Sequence, residues 1–254
     1  MAESDLERRQ FLKLTAAAGG GLLIGFHLPG LAATRDGYHL GGHHFSPNSW
    51  IHLAPDDTVT LMVATSELGQ GSMTAIPMLL AEELEADWAK VKVVPAPVNP
   101  DFNNPLSNKQ STGGSTAVRG YWEPLRRVGA GTRELLITAA AVTWGVAPKA
   151  CHARNSMVIH TASGRRLRYG ALLATASKLT PPAEVHLKNP KDYHLIGRPI
   201  ARLDTPAKVN GSAVFGTDVR RPGMLTAVVA RCPVFGGNPK GYNTDAARAV
   251  RGVH

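Results

Sequence analysis

The stretch that decides the fold is Ser66-Glu67-Leu68-Gly69-Gln70-Gly71-Ser72-Met73-Thr74. Before it, residues 58–63 alternate between polar and apolar side chains and include several β-branched ones, which predicts a strand. After it, residues 75–86 place their apolar side chains near one face, which predicts a helix. A glycine turn between a strand and a helix N-terminus can bind an anion, because glycine lets the backbone come close and free N–H groups favour negative charge.

Geometry alone makes this turn weak evidence for a ligand, because most glycine turns between a strand and a helix bind nothing. No Lys-Ser or Lys-Thr pair follows the glycines, so the stretch is not a P-loop. The G-x-G-x-x-G pattern is also absent, which excludes a Rossmann fingerprint. Gln70, between two glycines, adds an amide that can both donate and accept hydrogen bonds.

A second glycine-bearing segment, residues 110–120, reads QSTGGSTAVRG. It ends a long loop, residues 95–115, and precedes a predicted helix over residues 118–146. Small hydroxyl side chains, backbone N–H groups and the nearby Arg119 make it a second candidate anion site. A Ser/Thr helix cap is the alternative explanation, and it needs no ligand.

The rest of the chain is expected to be a mixture of strands and helices. Residues 91–94 predict a strand that completes a strand–helix–strand unit, and a small hairpin is expected over residues 156–168. A helix is expected from residue 169 to about residue 178. Within the helix of residues 118–146, three arginines are expected on an exposed face: Arg126, Arg127 and Arg133.

The two turns carry a resemblance to a known family. Glu67-Leu68-Gly69-Gln70-Gly71, followed by Thr74 and Ala81-Glu82-Glu83-Leu84, resembles the molybdopterin-binding subunit of the xanthine dehydrogenase/aldehyde oxidase family, in particular the isoquinoline 1-oxidoreductase beta subunit. Residues 112–115 with Arg119 resemble that subunit's second cofactor-contact segment. The resemblance implies two groups of cofactor-binding residues, Gly69, Gln70 and Gly71 in the first, and Thr112, Gly113, Gly114 and Ser115 in the second.

The family's catalytic base has no counterpart among the local carboxylates, so no catalytic residue is assigned. Glu67 is the nearest candidate by position, but it precedes the turn and is expected to cap or pair structurally. No metal ligand is assigned either, because the spacing of His39, His43 and His44 in a glycine-rich linker matches no common metal site.

The resemblance also divides the chain. It implies an α+β fold in which part of a molybdopterin-binding domain, residues 49–180, precedes an incomplete a/b hammerhead domain, residues 196–254. Residues 34–48 and 181–195 are linkers. In the second domain we expect a strand over residues 226–230, a helix starting near Thr244, and an Asp204–Lys208 ion pair of small value.

The N-terminus, residues 1–33, is expected to be a twin-arginine export signal. Residues 7–13 read ERRQFLK, with Glu7 where the pattern usually has Ser or Thr. An ordinary N-terminal helix is the alternative. Since the twin-arginine route carries folded proteins, a signal of this kind implies a periplasmic protein that takes up its cofactor before export.

Charge and cysteine content limit the partners. The chain of 254 residues has 28 basic and 19 acidic residues, a net charge of +9. No nucleic-acid partner is expected, because aromatic residues are few and are not interleaved with the basic ones. With Cys151 and Cys232 as the only cysteines, neither a zinc cluster nor a four-cysteine iron–sulfur site is possible.

The resemblance implies a molybdenum hydroxylase that oxidises an aldehyde or an N-heterocycle with oxygen from water. Its cofactor would be molybdopterin cytosine dinucleotide, its iron–sulfur clusters would lie in a small partner subunit, and a periplasmic cytochrome would accept the electrons. Family members are far longer, and their catalytic glutamate lies beyond the stretch that corresponds to this chain. Whether this chain is an enzyme is therefore left open. The alternatives are an inactive product of a split gene, a non-enzymatic exported binding module, or a subunit completed by a second polypeptide.

Overall fold

The computed structural model of the chain describes residues 22–24, 50–182 and 184–253. The described residues form two compact units, one reaching Asn210 and the other beginning at Gly211. The twin-arginine pattern and the three histidines of the linker lie outside the described residues. Within the described ranges, no helix has the length and apolar character needed to cross a membrane.

The first unit is built on a four-stranded sheet whose strands are hydrogen-bonded in chain order. Its strands are β1 (Leu22–Ile24), β2 (Ile51–Leu53), β3 (Val59–Val63) and β4 (Val91–Pro95). The first three strands are antiparallel, whereas β3 and β4 run parallel, with Val59 opposite Val91 and Val63 opposite Pro95. The predicted strand–helix–strand unit is therefore confirmed.

Two long helices pack against each other, and the first of them contacts the sheet. They are α1 (Ser72–Leu84) and α2 (Ala117–Trp144). Helix α1 begins at Ser72, three residues earlier than predicted, directly after the glycine turn. Helix α2 ends at Gly145 with φ +65°, a left-handed conformation that glycine adopts at little cost.

The two helices approach closely because α2 carries a glycine at the crossing. A Cβ at Gly129 would lie 2.5 Å from the Leu80 carbonyl oxygen of α1. In the same core, Trp50 packs edge-on against Phe102 with ring centroids 4.8 Å apart, and the Tyr121 hydroxyl donates to the Phe102 carbonyl at 2.7 Å. The main core thus lies between the sheet and the α1–α2 pair.

A second, three-stranded antiparallel sheet lies against this core. It contains β5 (Cys151–Arg154), β6 (Met157–His160) and β7 (Arg166–Arg168), and is followed by α3 (Tyr169–Ala176). The predicted hairpin corresponds to β6 and β7, whereas β5 was not predicted. The Tyr169 hydroxyl donates to the Leu84 carbonyl oxygen at 2.6 Å, which joins α3 to the end of α1.

The prediction of an exposed arginine face on α2 is wrong for two of its three members. Arg126 and Arg133 donate to the carboxylate of Glu83, at 2.7 Å and 3.2 Å respectively, and Glu83 is fully buried. Only Arg127 faces solvent, where it pairs with Glu123. The acidic residues of α1 are therefore not a solvated face, since a buried carboxylate needs charged or hydrogen-bonding partners.

Glu82 and Glu83 also hold residues 186–196, a segment without long regular structure, against the two helices. The Glu83 carboxylate accepts from the Lys188 N–H at 3.0 Å, and Glu82 accepts from the N–H groups of His194, Leu195 and Ile196 at 2.7–3.1 Å. Burial acts to raise the pKa of Glu82, but hydrogen bonds from Lys188 and from these N–H groups outweigh it and lower that pKa.

Short elements complete the chain. They are α4 (Thr205–Val209) and α5 (Asp245–Arg248), with single 3-10 turns at Trp88–Lys90, Pro100–Phe102, Pro148–Ala150, Pro190–Asp192 and Gly216–Asp218.

The second unit, described over residues 211–253, contains α5 and one 3-10 turn and no strand among its described residues. The expected helix near Thr244 is confirmed as α5, but the expected strand over residues 226–230 is wrong. A β-branched run becomes a strand only beside a second strand, and none lies next to it in this part of the structure. Large apolar side chains such as Val228 and Phe235 are fully exposed.

Candidate functional site

The two glycine segments that are predicted to bind an anion meet because they follow the carboxyl ends of neighbouring parallel strands. Residues 64–72 follow β3, and the loop that ends at Ser115 follows β4. The Ala96 N–H donates to the Val63 carbonyl oxygen at 2.8 Å, and the Ser66 N–H donates to the Thr112 hydroxyl at 2.8 Å. Carboxyl ends of parallel strands are the usual place for ligands in sheets with helical crossovers.

Glycine is required at both ends of the first turn. Gly69 has φ +104° and Gly71 has φ +85°, conformations that side-chain-bearing residues rarely adopt. A Cβ built at either position would meet no atom within 4 Å. The space before the turn is therefore open, and the backbone there is accessible to a ligand.

The side chain of Glu67 accepts hydrogen bonds from three N–H groups of this turn. Its Oε1 accepts from the Gly69 and Gly71 N–H groups at 2.8 Å and 2.9 Å, and its Oε2 accepts from the Met73 N–H at 3.0 Å. Partial burial acts to raise the pKa of Glu67, but these three hydrogen bonds and the charge of Arg202 outweigh it and lower that pKa. Glu67 therefore stays ionised and has the structural role expected of it.

Gln70 is also held in place. Its Nε2 donates to the Ser66 carbonyl oxygen at 2.8 Å and to the Ser72 hydroxyl at 3.1 Å, while its Oε1 accepts from the Leu68 N–H at 2.6 Å. Since an amide oxygen has two lone pairs, one acceptor position on the exposed Gln70 is left for a ligand.

A segment from far along the chain closes over the turn. Arg202 donates to the Gly69 carbonyl oxygen at 2.9 Å and to Glu67 Oε1 at 3.2 Å, and the Leu203 N–H donates to the Thr74 hydroxyl at 3.0 Å. Arg202 also makes two hydrogen bonds to the Asp204 carboxylate, at 3.0 Å and 2.8 Å. The expected Asp204–Lys208 pair is confirmed at 2.5 Å, and hydrogen bonds from Arg202 and Lys208 lower the pKa of Asp204.

The second segment has backbone N–H donors that are free to bind a ligand. Within the described residues, the N–H groups of Gly113, Gly114 and Ser115 donate to no protein acceptor. The Thr116 hydroxyl donates to the Gly113 carbonyl oxygen at 2.9 Å and does not cap α2, so Thr116 does not provide the Ser/Thr cap considered as an alternative. Arg119, whose Nε donates to the Ser115 carbonyl oxygen at 3.2 Å, adds positive charge.

Together the two segments form an exposed surface that fits an anionic, hydrogen-bonding cofactor. The fit rests on free N–H donors in residues 113–115 and on open space in front of Gly69, Gly71 and Gly113. Thr65, almost fully buried at the end of β3, has a hydroxyl with no hydrogen-bond partner among the described residues. Predicted site residues from both segments thus lie on one edge of the sheet.

A cleft of about 460 Å³ lies near the C-terminal end of α1, away from this surface. The 13 residues of α1 separate the two by about 20 Å at 1.5 Å per residue. Two of its acidic lining residues, Glu82 and Glu85, are paired with Lys188, and Asp87 and Arg154 also line it. None of the predicted cofactor-binding residues lines this cleft.

Comparison with known proteins decides the family. A family model described as a molybdopterin cofactor-binding domain matches residues 3–219. This chain belongs to that family. The match covers both glycine segments, and it confirms the resemblance to molybdopterin-binding subunits of the xanthine dehydrogenase/aldehyde oxidase family.

Curated relatives carry oxidoreductase names. The chain is 35% identical to the isoquinoline 1-oxidoreductase subunit beta of Brevundimonas diminuta, over 82% of this chain and 31% of the relative. It is 31% identical to a membrane-bound aldehyde dehydrogenase [pyrroloquinoline-quinone] of Gluconacetobacter polyoxogenes, over 98% of this chain and 32% of the relative. The chain thus spans about a third of the length of these relatives.

Among solved structures, quinoline 2-oxidoreductase from Pseudomonas putida 86 matches with a TM-score of 0.39 and 17% identity. The match covers 52% of this chain and 16% of that one. The chain's own helices and sheets show a mixed α+β architecture.

A structural role for Glu67 was expected from the sequence, whereas one other feature of the site was not. The contact of Arg202 with the turn had no signal, since it joins residues 135 positions apart.

Proposed function

We propose that this chain is the cofactor-binding part of the large subunit of a molybdenum hydroxylase that oxidises an aldehyde or an N-heterocycle with oxygen from water. The observation that carries the proposal is the meeting of two glycine segments at the carboxyl ends of β3 and β4, joined by the 2.8 Å bond from the Ser66 N–H to Thr112. Membership of the molybdopterin cofactor-binding family and the oxidoreductase names of the relatives support it.

The residues proposed to hold the cofactor fall into the two groups described above. The first group is Gly69, Gln70 and Gly71, and the second is Thr112, Gly113, Gly114 and Ser115. The second group offers N–H donors to phosphate oxygens, whereas the first offers an open backbone face and the free acceptor position of Gln70. When bound, the molybdenum cofactor would supply the redox chemistry, and these residues would orient it.

We further propose the cytosine dinucleotide form of the cofactor and a separate small subunit that carries the iron–sulfur clusters. The presence of two cysteines, one buried and one exposed, supports a separate cluster subunit. A periplasmic location reached by the twin-arginine route, with a cytochrome as electron acceptor, is proposed from the arginine pair at residues 8 and 9. The hammerhead assignment of residues 196–254 is likewise proposed from the resemblance, whereas the second compact unit begins only at Gly211.

The test is the cofactor content of the chain purified from a host that makes molybdenum cofactors, with any co-purifying subunits retained. Stoichiometric molybdenum, together with release of cytidine monophosphate on acid hydrolysis, is expected. Pyrroloquinoline quinone is measured in the same sample because the name of one relative includes it. Quinone without molybdenum would contradict the proposal.

Single substitutions locate the cofactor. Gln70→Ala is expected to lower molybdenum occupancy, because it removes the only side-chain amide in the turn. Val98→Ala is the matched control, since Val98 is almost fully exposed in the loop that follows β4 and belongs to neither segment. Equal molybdenum content in the two variants would contradict the assignment of Gln70.

A binding module without turnover is the second candidate, because the chain matches only about a third of its relatives. Bound molybdenum with no oxidation of aldehydes or N-heterocycles, either alone or after addition of co-purifying subunits, would favour this candidate. Substrate-dependent reduction of an artificial electron acceptor would favour the enzyme.

A further inference from the structure

We infer that Glu67 is a positioning residue that serves as the internal anion of the glycine turn, so that the cofactor contacts this turn through Gln70 and the open glycine faces and not through the N–H groups of Gly69, Gly71 and Met73. The inference rests on the proposed function for the identity of the ligand. The role of Glu67 itself rests on contacts within the chain.

The first argument is donor occupancy. An anion at a turn of this kind would be held by the N–H groups of Gly69, Gly71 and Met73, and the two oxygens of one carboxylate accept from all three. These bonds of 2.8–3.0 Å have the lengths of good charge-assisted hydrogen bonds. A phosphate group at the same place would have to displace Glu67.

Arg202 makes that displacement costly. Its guanidinium donates to Glu67 Oε1 and to the Gly69 carbonyl oxygen, and it is itself held by the Asp204 carboxylate. Removing Glu67 from the turn would leave three N–H groups without their acceptor and would cost Arg202 one of its acceptors. The side chain of Glu67 is 11% exposed, so water would replace it only in part.

The second argument concerns the groups of the glycine turn that remain free to contact a ligand. With the N–H groups of Gly69, Gly71 and Met73 bonded to Glu67, the turn still presents the glycine surfaces, the exposed Leu68 side chain and one lone pair of Gln70 Oε1. Gln70 keeps this orientation because Ser66 and Ser72 accept from its Nε2. Glu67 therefore acts on the ligand through the shape of the turn, and its lowered pKa makes it a poor proton acceptor.

The test is amide hydrogen exchange resolved by residue, on the full chain as purified. In the wild type, the amides of Gly69, Gly71 and Met73 are expected to exchange more slowly than those of Gly113 and Gly114, by at least about tenfold after correction for intrinsic rates, since each donates to a charged acceptor. Equal rates in the two sets would overturn the inference.

Variants supply the second readout. In Glu67→Ala, slow exchange at the three amides is expected to be lost and molybdenum retention to fall, and added acetate is expected to restore both by refilling the vacated position. Glu67→Gln, which keeps one acceptor oxygen, is expected to be intermediate. Glu123→Ala is the control, because Glu123 is an exposed carboxylate that pairs with Arg127 on the surface of α2. A Glu67→Ala chain whose turn amides stay slow without acetate would overturn the inference.

Inorganic pyrophosphate tests the remaining alternative. If phosphate groups displace Glu67, pyrophosphate will shift the wild-type amide resonances of Gly69, Gly71 and Met73, which would overturn the inference. No shift at these amides is expected. Failure of the proposed function is distinguishable, because a chain without molybdenum still gives a decisive exchange result.

Discussion

The substitution Glu83→Gln tests the buried ion network that joins α1 to α2. The Glu83 carboxylate accepts from Arg126 at 2.9 Å and 2.7 Å, from Arg133 at 3.2 Å and from the Lys188 N–H at 3.0 Å. Glutamine has nearly the same shape, and its amide oxygen can still accept the hydrogen bonds from Arg126. Its NH₂ group, however, faces the donors of Arg133 and Lys188.

The expected loss follows from these contacts. Two hydrogen bonds to a charged group are broken, each worth about 1.5–3 kcal/mol, which gives about 3–6 kcal/mol. Breaking a buried ion pair by removing one partner costs about 3–5 kcal/mol, which agrees with this sum over hydrogen bonds. Burial justifies the large value, since the side chains of Glu83, Arg126 and Arg133 are 0%, 9% and 12% exposed.

The matched control is Glu123→Gln, which makes the same chemical change in an exposed pair with Arg127, also at 2.7 Å. Exposed pairs one helical turn apart contribute about 0.3–0.5 kcal/mol. Urea unfolding of both full-length variants, followed by circular dichroism, measures the difference. Glu83→Gln is expected to lower the urea midpoint by at least about 1 M. A loss equal to that of the control would refute the buried network as a source of stability.

The other predictions concern helix packing and acid sensitivity. Gly129→Ala is expected to destabilise the chain by about 1–3 kcal/mol, because the new Cβ would lie 2.5 Å from the Leu80 carbonyl oxygen. The pKa of Glu67 is lowered from its ordinary value of 4.5, so its stabilisation of the turn is present above that pH and is lost as the pH falls through the lowered pKa. Amide resonances of Gly69 and Gly71 are therefore expected to titrate with a midpoint below pH 4.5.

Each of these has a clear contrary outcome. Gly216→Ala is the control for the helix crossing, since a Cβ there meets no atom within 4 Å, and equal urea midpoints for the two alanine variants would contradict the packing argument. A midpoint at or above pH 4.5 for the turn amides would show that Glu67 is not stabilised as a carboxylate.

Local patterns predicted the elements that position the site. The alternation of residues 58–63 and the glycine at residue 145 set β3 and the end of α2 to within one or two residues, because strand pleating and helix termination depend on neighbours in the chain. The positions of the two glycine segments along the chain, each before a helix, were also predicted from the sequence. That they touch follows from the parallel pairing of β3 with β4.

Contacts between residues far apart in the chain could not be predicted from the sequence. Arg126 and Arg133 resembled a solvated face because their acceptor, Glu83, is on another helix 43 and 50 residues away. Arg202 reaches the turn from an even greater separation. Such contacts depend on tertiary packing, which overrides the polar appearance of a helix face.

Strand prediction failed in both directions for one reason. Residues 226–230 have β-branched side chains but no adjacent strand in the described part of their unit, whereas Cys151–Arg154 has little β-propensity and pairs fully with β6. Pairing and burial decide strand formation more than composition does.

The separation between Glu67 and Arg202 also has a consequence for synthesis on the ribosome. The carboxylate emerges 135 residues before the guanidinium that closes over it. At about 5–20 residues per second, this interval is about 7–27 s. Throughout that time the glycine turn of the nascent chain has its carboxylate but not the arginine, which completes the arrangement last.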